Sequence, residues 1–311
     1  MKDAPRVLII GYGEMGHAME YLLAGRCDLQ VWTRHPVPGH KPVALAAAVS
    51  TASVILYCIP VTPLADVAQR VLPALQAGGI SLSIAKGLDG QGRPASQVLH
   101  DVYAGRHDFG VLYGPMISEE IRAGRPAFAQ FAGSQPAVFD IAGQLFAGSG
   151  LVLQSSRDMT GISWASVLKN VYALLFGAAD ELGLCDNVRG YLVVACLEEM
   201  QMLVGKAGGE PLSAAGLAGL GDLVTTATSE DSHHHALGRL LARKQLDNIS
   251  GEGVHTLAML ERYQLVDFSA YPLLQLVDGI IRDPEDIGAR LLATVESITG
   301  SRCGDFYRQT Q

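Results

Sequence analysis

Two lysines and one aspartate carry most of the chemistry this sequence offers. Lys169 lies in Ser166-Val167-Leu168-Lys169-Asn170-Val171, an otherwise apolar stretch with helical spacing. Lys86 follows the apolar run Ile80–Ala85, in Lys86-Gly87-Leu88. Asp222 is framed by glycine in Gly219-Leu220-Gly221-Asp222-Leu223-Val224-Thr225-Thr226, which runs on towards Ser232-His233-His234-His235. Glycine permits close approach where other residues clash, so this segment lets polar groups converge on one point. A lysine whose pKa is lowered by burial or by a second cation can donate and accept a proton near neutral pH. Each piece also has an ordinary reading. Asp222 can cap the helix that follows it, and Lys169 can snorkel from a helix surface to water.

The elements that must position these residues divide the chain in two. Up to about residue 156, short apolar runs (Arg6–Ile10, Leu29–Thr33, Val54–Ile59, Ile80–Ala85, Gly110–Tyr113, Phe128–Phe131) alternate with helical stretches such as Met15–Leu23 and Pro63–Leu75. Alternation of this kind predicts parallel strands joined by crossover helices, with the sheet buried on both faces. Beyond Met159 long helical patterns take over: 161–182, 187–207, 235–244, 254–263 and 270–278. The expected architecture is an α/β Rossmann-type domain with a mostly parallel sheet over 1–157, then an all-α domain over 158–311. Apolar helices at 187–204 and 254–263 suit either a core or a homodimer face.

Directly after the first strand stands Gly11-Tyr12-Gly13-Glu14-Met15-Gly16. In a strand–loop–helix–strand context this GxGxxG is a dinucleotide fingerprint: the glycines allow the tight turn, the approach of a pyrophosphate and close helix packing. The helix N-terminus then offers free N–H groups to the anion. Glu14 is an oddity, because its carboxylate opposes such a ligand unless it turns away. The second strand ends Val31-Trp32-Thr33-Arg34-His35. A cation replaces the acid that holds a ribose 2′-hydroxyl, which favours NADP or dual use over strict NAD. A flavin fits the loop less well. Reduction of a ketone by a nicotinamide needs a proton donor beside the developing alkoxide, and Lys86 and Lys169 are the candidates.

Composition narrows the classes further. With 23 basic against 31 acidic residues the net charge is −8, which argues against nucleic acid, whose binding rests on clustered Lys and Arg. Five cysteines (Cys27, Cys58, Cys185, Cys196, Cys303) are widely spread; none has metal or redox spacing, so reduced thiols in a cytoplasm are expected. The apolar runs fall short of the ~20 residues of a membrane span, and no targeting segment is evident. Consecutive histidines fan out around a helix, so His233-His234-His235 is not expected to bind a metal.

Taken in order, these motifs resemble the bacterial NAD(P)-dependent glycerol-3-phosphate dehydrogenases over nearly the full length. The matching pieces are Gly11–Gly16, Trp32–Arg34, Lys86-Gly87-Leu88, Gly114-Pro115 with Glu119-Glu120, Leu168-Lys169-Asn170-Val171, Asp186-Asn187-Val188-Arg189, Gly216–Thr226 and Glu252-Gly253-Val254-His255-Thr256. The resemblance implies an active site in the cleft between a Rossmann-type domain and a helical one. It implies Lys169 as general acid/base, Asp222 fixing its orientation and protonation, and Lys86 contacting substrate and cofactor. Asn170, Thr226, Gly114, Met116, Ser232, His233 and His234 would line the substrate. Gly11, Gly13, Glu14, Met15, Gly16, Arg34, Ser118, His233 and Glu252 would meet NAD(P). The implied reaction interconverts glycerol 3-phosphate and dihydroxyacetone phosphate and feeds phospholipid backbone synthesis. Ketopantoate reductase-like chemistry fits the Asp222 segment less well.

Two positions depart from the family pattern. Where the family has Ser-Arg-Asn, this chain has Ser232-His233-His234; where it has Ser-Gly-Pro-Ser, this chain has Tyr113-Gly114-Pro115-Met116. Arginine binds phosphate bidentately and is always charged, whereas histidine is largely neutral above about pH 6.5. Either the histidines still grip the phosphate, or the substrate is another small anionic 2-oxo or 2-hydroxy compound. A catalytically silent NAD(P) sensor is the alternative of a different class, at odds with the full proton-transfer set.

Overall fold

The computed structural model describes residues 4–229, 232–245 and 250–300; Cys303 and part of the 245–253 connection lie outside them. Seven strands form one sheet in the order β2-β1-β3-β4-β5-β6-β7. They are β1 (Arg6–Ile10), β2 (Asp28–Trp32), β3 (Val54–Tyr57), β4 (Ile80–Ser83), β5 (Asp108–Tyr113), β6 (Ala127–Gly133) and β7 (Leu151–Ser155). The connecting helices are α1 (Glu14–Leu23), α2 (Leu45–Val49), α3 (Leu64–Val71), α4 (Ala95–Tyr103), α5 (Ser118–Arg122) and α6 (Pro136–Phe146). Strand side chains alternate between the two faces. Val7 and Ile9 join Met19 and Leu22 of α1 on one side, while Leu8 and Ile10 join Val67 of α3 and Leu99 of α4 on the other. Burial on both faces explains why these strands read as continuous apolar runs.

β1 pairs in parallel with β2 on one side and β3 on the other. The chain therefore switches direction across β1, which opens a crevice at the carboxyl ends of β1 and β3 where ligands bind in such sheets. The sheet is mostly parallel, as expected, with one exception: β6 runs antiparallel to β5, and β7 then lies parallel to β6. The helix between β5 and β6, α5, has five residues and spans only about 7.5 Å at 1.5 Å per residue. α2 has five residues too and lies between the parallel strands β2 and β3, so the length of α5 alone does not set the direction of β6. β7 was not expected at all; its burial pattern is mixed rather than apolar, as suits an edge strand.

After β7 the described residues are helical. They form α7 (Met159–Glu181), α8 (Asp186–Lys206), α9 (Asp222–Thr228), α10 (His233–Ala242), α11 (Glu252–Arg262), α12 (Pro272–Arg282) and α13 (Ile287–Thr299). α7 is the central post. By length and composition it is apolar enough to cross a membrane, contrary to the expectation that no segment would be, but 94% of its apolar window is buried inside the protein. Leu168, Val171, Tyr172 and Leu175 anchor it in the helical core with Leu203 of α8 and Leu260 of α11. α10 lies almost backbone to backbone on it: a Cβ at Gly177 would stand 2.0 Å from the His235 carbonyl oxygen, and one at Gly238 would stand 2.1 Å from that of Leu174. Glycine at both positions brings the start of α10 within reach of the site described next.

Candidate active site in the cleft between sheet and helices

Lys169 sits on α7, in the stretch buried all round, and is 5% exposed. The snorkelling alternative does not hold. The π-type turn Leu217–Gly221 swings directly into α9, and Gln130 of β6 ties that turn to the sheet by accepting from the Ala218 N–H at 2.9 Å. Asp222 is the first residue of α9, and Thr226 lies one turn on, so both face the same way. They face α7: Lys169 Nζ donates to Thr226 Oγ1 at 2.8 Å and lies 3.1 Å from Asp222 Oδ2. The N-cap of α9 is Gly221 rather than Asp222, and the Asp222 carboxylate is turned to the lysines. Lys86, delivered by β4, donates to the same Oδ2 at 2.6 Å and to the Gly114 carbonyl at 3.4 Å.

One carboxylate oxygen thus holds two ammonium groups, and the electrostatics follow. Burial pushes the Lys169 amine down, Lys86 adds to this, and Asp222 opposes it; the outcome is about 8. Burial alone would raise Asp222, but Lys169 and Lys86 outweigh it and hold the carboxyl below its usual range. Asn170, beside Lys169, donates from Nδ2 to Glu252 Oε2 at 2.8 Å. Burial raises the Glu252 carboxyl against the pull of Lys86 and Lys169.

These groups line one cleft of ≈ 510 Å³ that also takes in Gly13, Glu14 and Met15 of the glycine turn. Met116, Ser118, Ser232, His233 and His234 line it too. The turn fits the phosphate-cradle geometry of a dinucleotide. Gly11 has φ +100°, and a Cβ there would stand 2.5 Å from the Cys58 carbonyl; one at Gly16 would stand 2.5 Å from the Gly11 carbonyl; at Gly13 the space is open. Two glycines close the turn and the third leaves room on the cleft side, as pyrophosphate approach requires. At the rim of the cleft Glu14 accepts from Ser118 Oγ at 3.3 Å, with Arg122 at 3.8 Å. Arg34 stands apart from the cleft and is exposed beyond the end of β2. Gly114 reaches the site through its carbonyl.

The three histidines point different ways. His233 and His234 line the cleft, whereas His235 turns back to Asp180 at the end of α7, with Nε2 2.7 Å from Oδ2. Asp180 also pairs with Arg189 of α8, which reaches the Ala227 carbonyl at 3.4 Å. Asp180 thereby fastens the beginnings of α8 and α10 and the end of α9 to one point. Burial, then Lys169, His233 and Lys86, push His234 down to about 3. Among the described residues, no arginine lines the cleft. Residues of the cleft that sequence reasoning missed include Cys58, Ile59 and Pro60. They follow β3 at the crevice beside β1, and the ligand rule for open α/β sheets was the signal that pointed there.

Comparison with known proteins gives the same picture from outside. Two family profiles match in order: the N-terminus of NAD-dependent glycerol-3-phosphate dehydrogenase over residues 40–138, and its C-terminus over 158–289. The glycerol-3-phosphate dehydrogenase [NAD(P)+] of Azotobacter vinelandii is 32% identical over 82% of this chain and 84% of its own length. That of Gloeobacter violaceus is 31% identical over 92% of this chain and 96% of its own. Among solved structures, the glycerol-3-phosphate dehydrogenase of Coxiella burnetii superposes with a TM-score of 0.81 at 24% identity, covering 94% of this chain and 99% of that one. A ketopantoate reductase from Ralstonia eutropha shares the fold at a TM-score of 0.58 and 16% identity, over 90% of this chain and 99% of that one. With the glycine turn, the two lysines and Asp222 drawn into one cleft, and relatives aligned along nearly the whole length, the chain belongs to the NAD-dependent glycerol-3-phosphate dehydrogenase family.

Proposed function

We propose that this chain, an NAD(P)-dependent dehydrogenase by its family, interconverts sn-glycerol 3-phosphate and dihydroxyacetone phosphate with Lys169 as the general acid/base. The observation that carries the proposal is the buried Lys169 amine, fixed between Asp222 and Thr226 and tuned to about 8. A bound nicotinamide supplies the hydride in reduction and takes it up in oxidation. As the carbonyl carbon gains the hydride, its oxygen becomes an alkoxide, and the Lys169 ammonium gives it a proton and is left neutral. In oxidation the neutral amine removes the hydroxyl proton. Lys86 places a second positive charge beside the same point, where electrostatic stabilisation of an oxyanion counts most. Asp222 holds both cations in place, and Asn170, itself held by Glu252, is set to orient the substrate.

The Gly11–Gly16 turn would hold the pyrophosphate, and Glu252 lies where it would meet the nicotinamide half. Arg34 suits the adenosine end. Removing Arg34 as Arg34→Ala should weaken NADPH at least about tenfold, the loss of one charge-assisted hydrogen bond, and leave NADH nearly unchanged. Fluorescence titration of the two dinucleotides measures this, and equal losses would remove Arg34 from the 2′-phosphate.

A second reading is favoured by one feature: His233 and apolar Met116, both lining the cleft, stand where the family pattern has an arginine and a serine. On that reading the substrate is a related 2-oxo or 2-hydroxy compound with a different anionic head. Initial rates of NADPH oxidation with dihydroxyacetone phosphate separate the two. The glycerol 3-phosphate reading expects turnover far above a Lys169→Ala control, and a rate no higher than that control ends it.

A further inference from the structure

The reversal of β6 brings its first half to the cleft end of the sheet. Gln130 stands opposite Tyr113, the last residue of β5. Phe128 and Ala129 pack on the residue that follows it: a Cβ at Gly114 would stand 2.4 Å from the Phe128 carbonyl oxygen and 2.9 Å from Ala129 Cα. β6 thus backs the Gly114 carbonyl that Lys86 reaches. The Gln130 side chain goes on to the helical side, where its Oε1 accepts from the Ala218 N–H at 2.9 Å. Ala218 is fully buried and stands at the opening of the π-type turn, where an amide has no helical carbonyl behind it. Gln130 is the acceptor that satisfies it. The fit is close: a Cβ at Gly216 would stand 2.5 Å from Gln130 Oε1 and 2.6 Å from its Nε2. The Gly216 backbone itself, at φ −83° and ψ −169°, is one that any residue adopts. What glycine supplies at 216 is room for Gln130. Gly216, Gly219 and Gly221 leave this turn little stiffness of its own, and Asp222 follows it directly.

We infer that Gln130 is a positioning residue for the proton transfer: by holding the Ala218 N–H it fixes the π-type turn, and with it the Asp222 carboxylate, against Lys86 and Lys169. A strand residue paired on both sides is a rigid support, and misplacing reacting groups by about 1 Å costs about 10²-fold in rate. The inference rests on the reading of Lys169 as the general acid/base. It is tested in the full-length protein by the pH dependence of dihydroxyacetone phosphate reduction, with NADPH affinity from fluorescence titration and a urea midpoint. Gln130→Met keeps the length of the side chain and loses the acceptor. It should lower kcat at least about tenfold, with NADPH affinity within about twofold. The break at about 8 should move to lower pH, because a carboxylate that drifts away leaves the Lys169 amine to burial and to Lys86, which both lower it. Gln130→Glu, which keeps the oxygen, should restore most of the rate and the position of the break. Gly216→Ala, whose Cβ displaces the Gln130 side chain without straining the backbone, should move the break the same way, and it decides alone if Gln130→Met does not fold. A Lys169-dependent break that neither Gln130→Met nor Gly216→Ala moves, whatever their rates and midpoints, overturns the role of Gln130 and leaves the acid/base reading standing. No break in the unaltered protein, or one that Lys169→Met does not abolish, ends both.

Discussion

Replacing Lys169 with methionine should lower kcat/KM for ketone reduction by about 10²–10⁴-fold, the usual contribution of a positioned general acid, while NADPH binding stays within a few-fold. Methionine fills nearly the same volume, and the site is already enclosed by apolar neighbours on α7. Removing the amine also removes a buried charge, so the fold should not suffer for want of packing. Activity should collapse while stability to urea holds or rises. Stopped-flow rates together with a denaturation curve check both halves. Near-normal turnover in a folded Lys169→Met protein would assign the proton transfer elsewhere.

Asp222→Asn acts on the same point from the other side, and its effect should be large on both stability and rate. The exchange is nearly isosteric, but it leaves Lys86 and Lys169 facing each other without their shared counter-charge. Breaking a buried ion pair from one side costs about 3–5 kcal/mol, which should appear as a lower urea midpoint. Asp222 also raises the Lys169 amine against burial and Lys86. Without it the amine falls further below about 8 and loses its proton near neutral pH. Reduction at pH 7 should then fall at least about 10²-fold, and the pH break should move to lower pH. If rate and midpoint both match the unaltered protein, the carboxylate has no hold on the lysines.

The site was legible where a residue's type conflicts with its surroundings. Lysine inside Val167-Leu168-Lys169-Asn170-Val171 and an acid between glycines and threonines are costly choices for a core, and the structure brings both into one cleft. The glycine turn was legible because each glycine has a steric reason visible in the strand–loop–helix pattern. Less legible was anything decided by long-range contact. Sequence periodicity cannot tell that β6 reverses direction, since an apolar run reads the same in a parallel and an antiparallel strand. Nor can it tell that His235 leaves the cleft for Asp180, a partner 55 positions away. β7 and α13 escaped notice because much of each faces solvent, which blurs the apolar pattern. The altered histidines were visible, but that His234 is pushed down follows from its burial and from Lys169, His233 and Lys86, two of which come from distant elements.

The pH dependence of kcat/KM, measured in both directions from about pH 6 to about pH 10, tests the central claim most directly. Reduction needs the ammonium form of Lys169, so its rate should hold at lower pH and decline as pH rises through about 8. Oxidation needs the neutral amine and should climb through the same value. Both breaks should vanish in Lys169→Met. Profiles without a break in that region, or a break that persists when the amine is gone, would contradict the account.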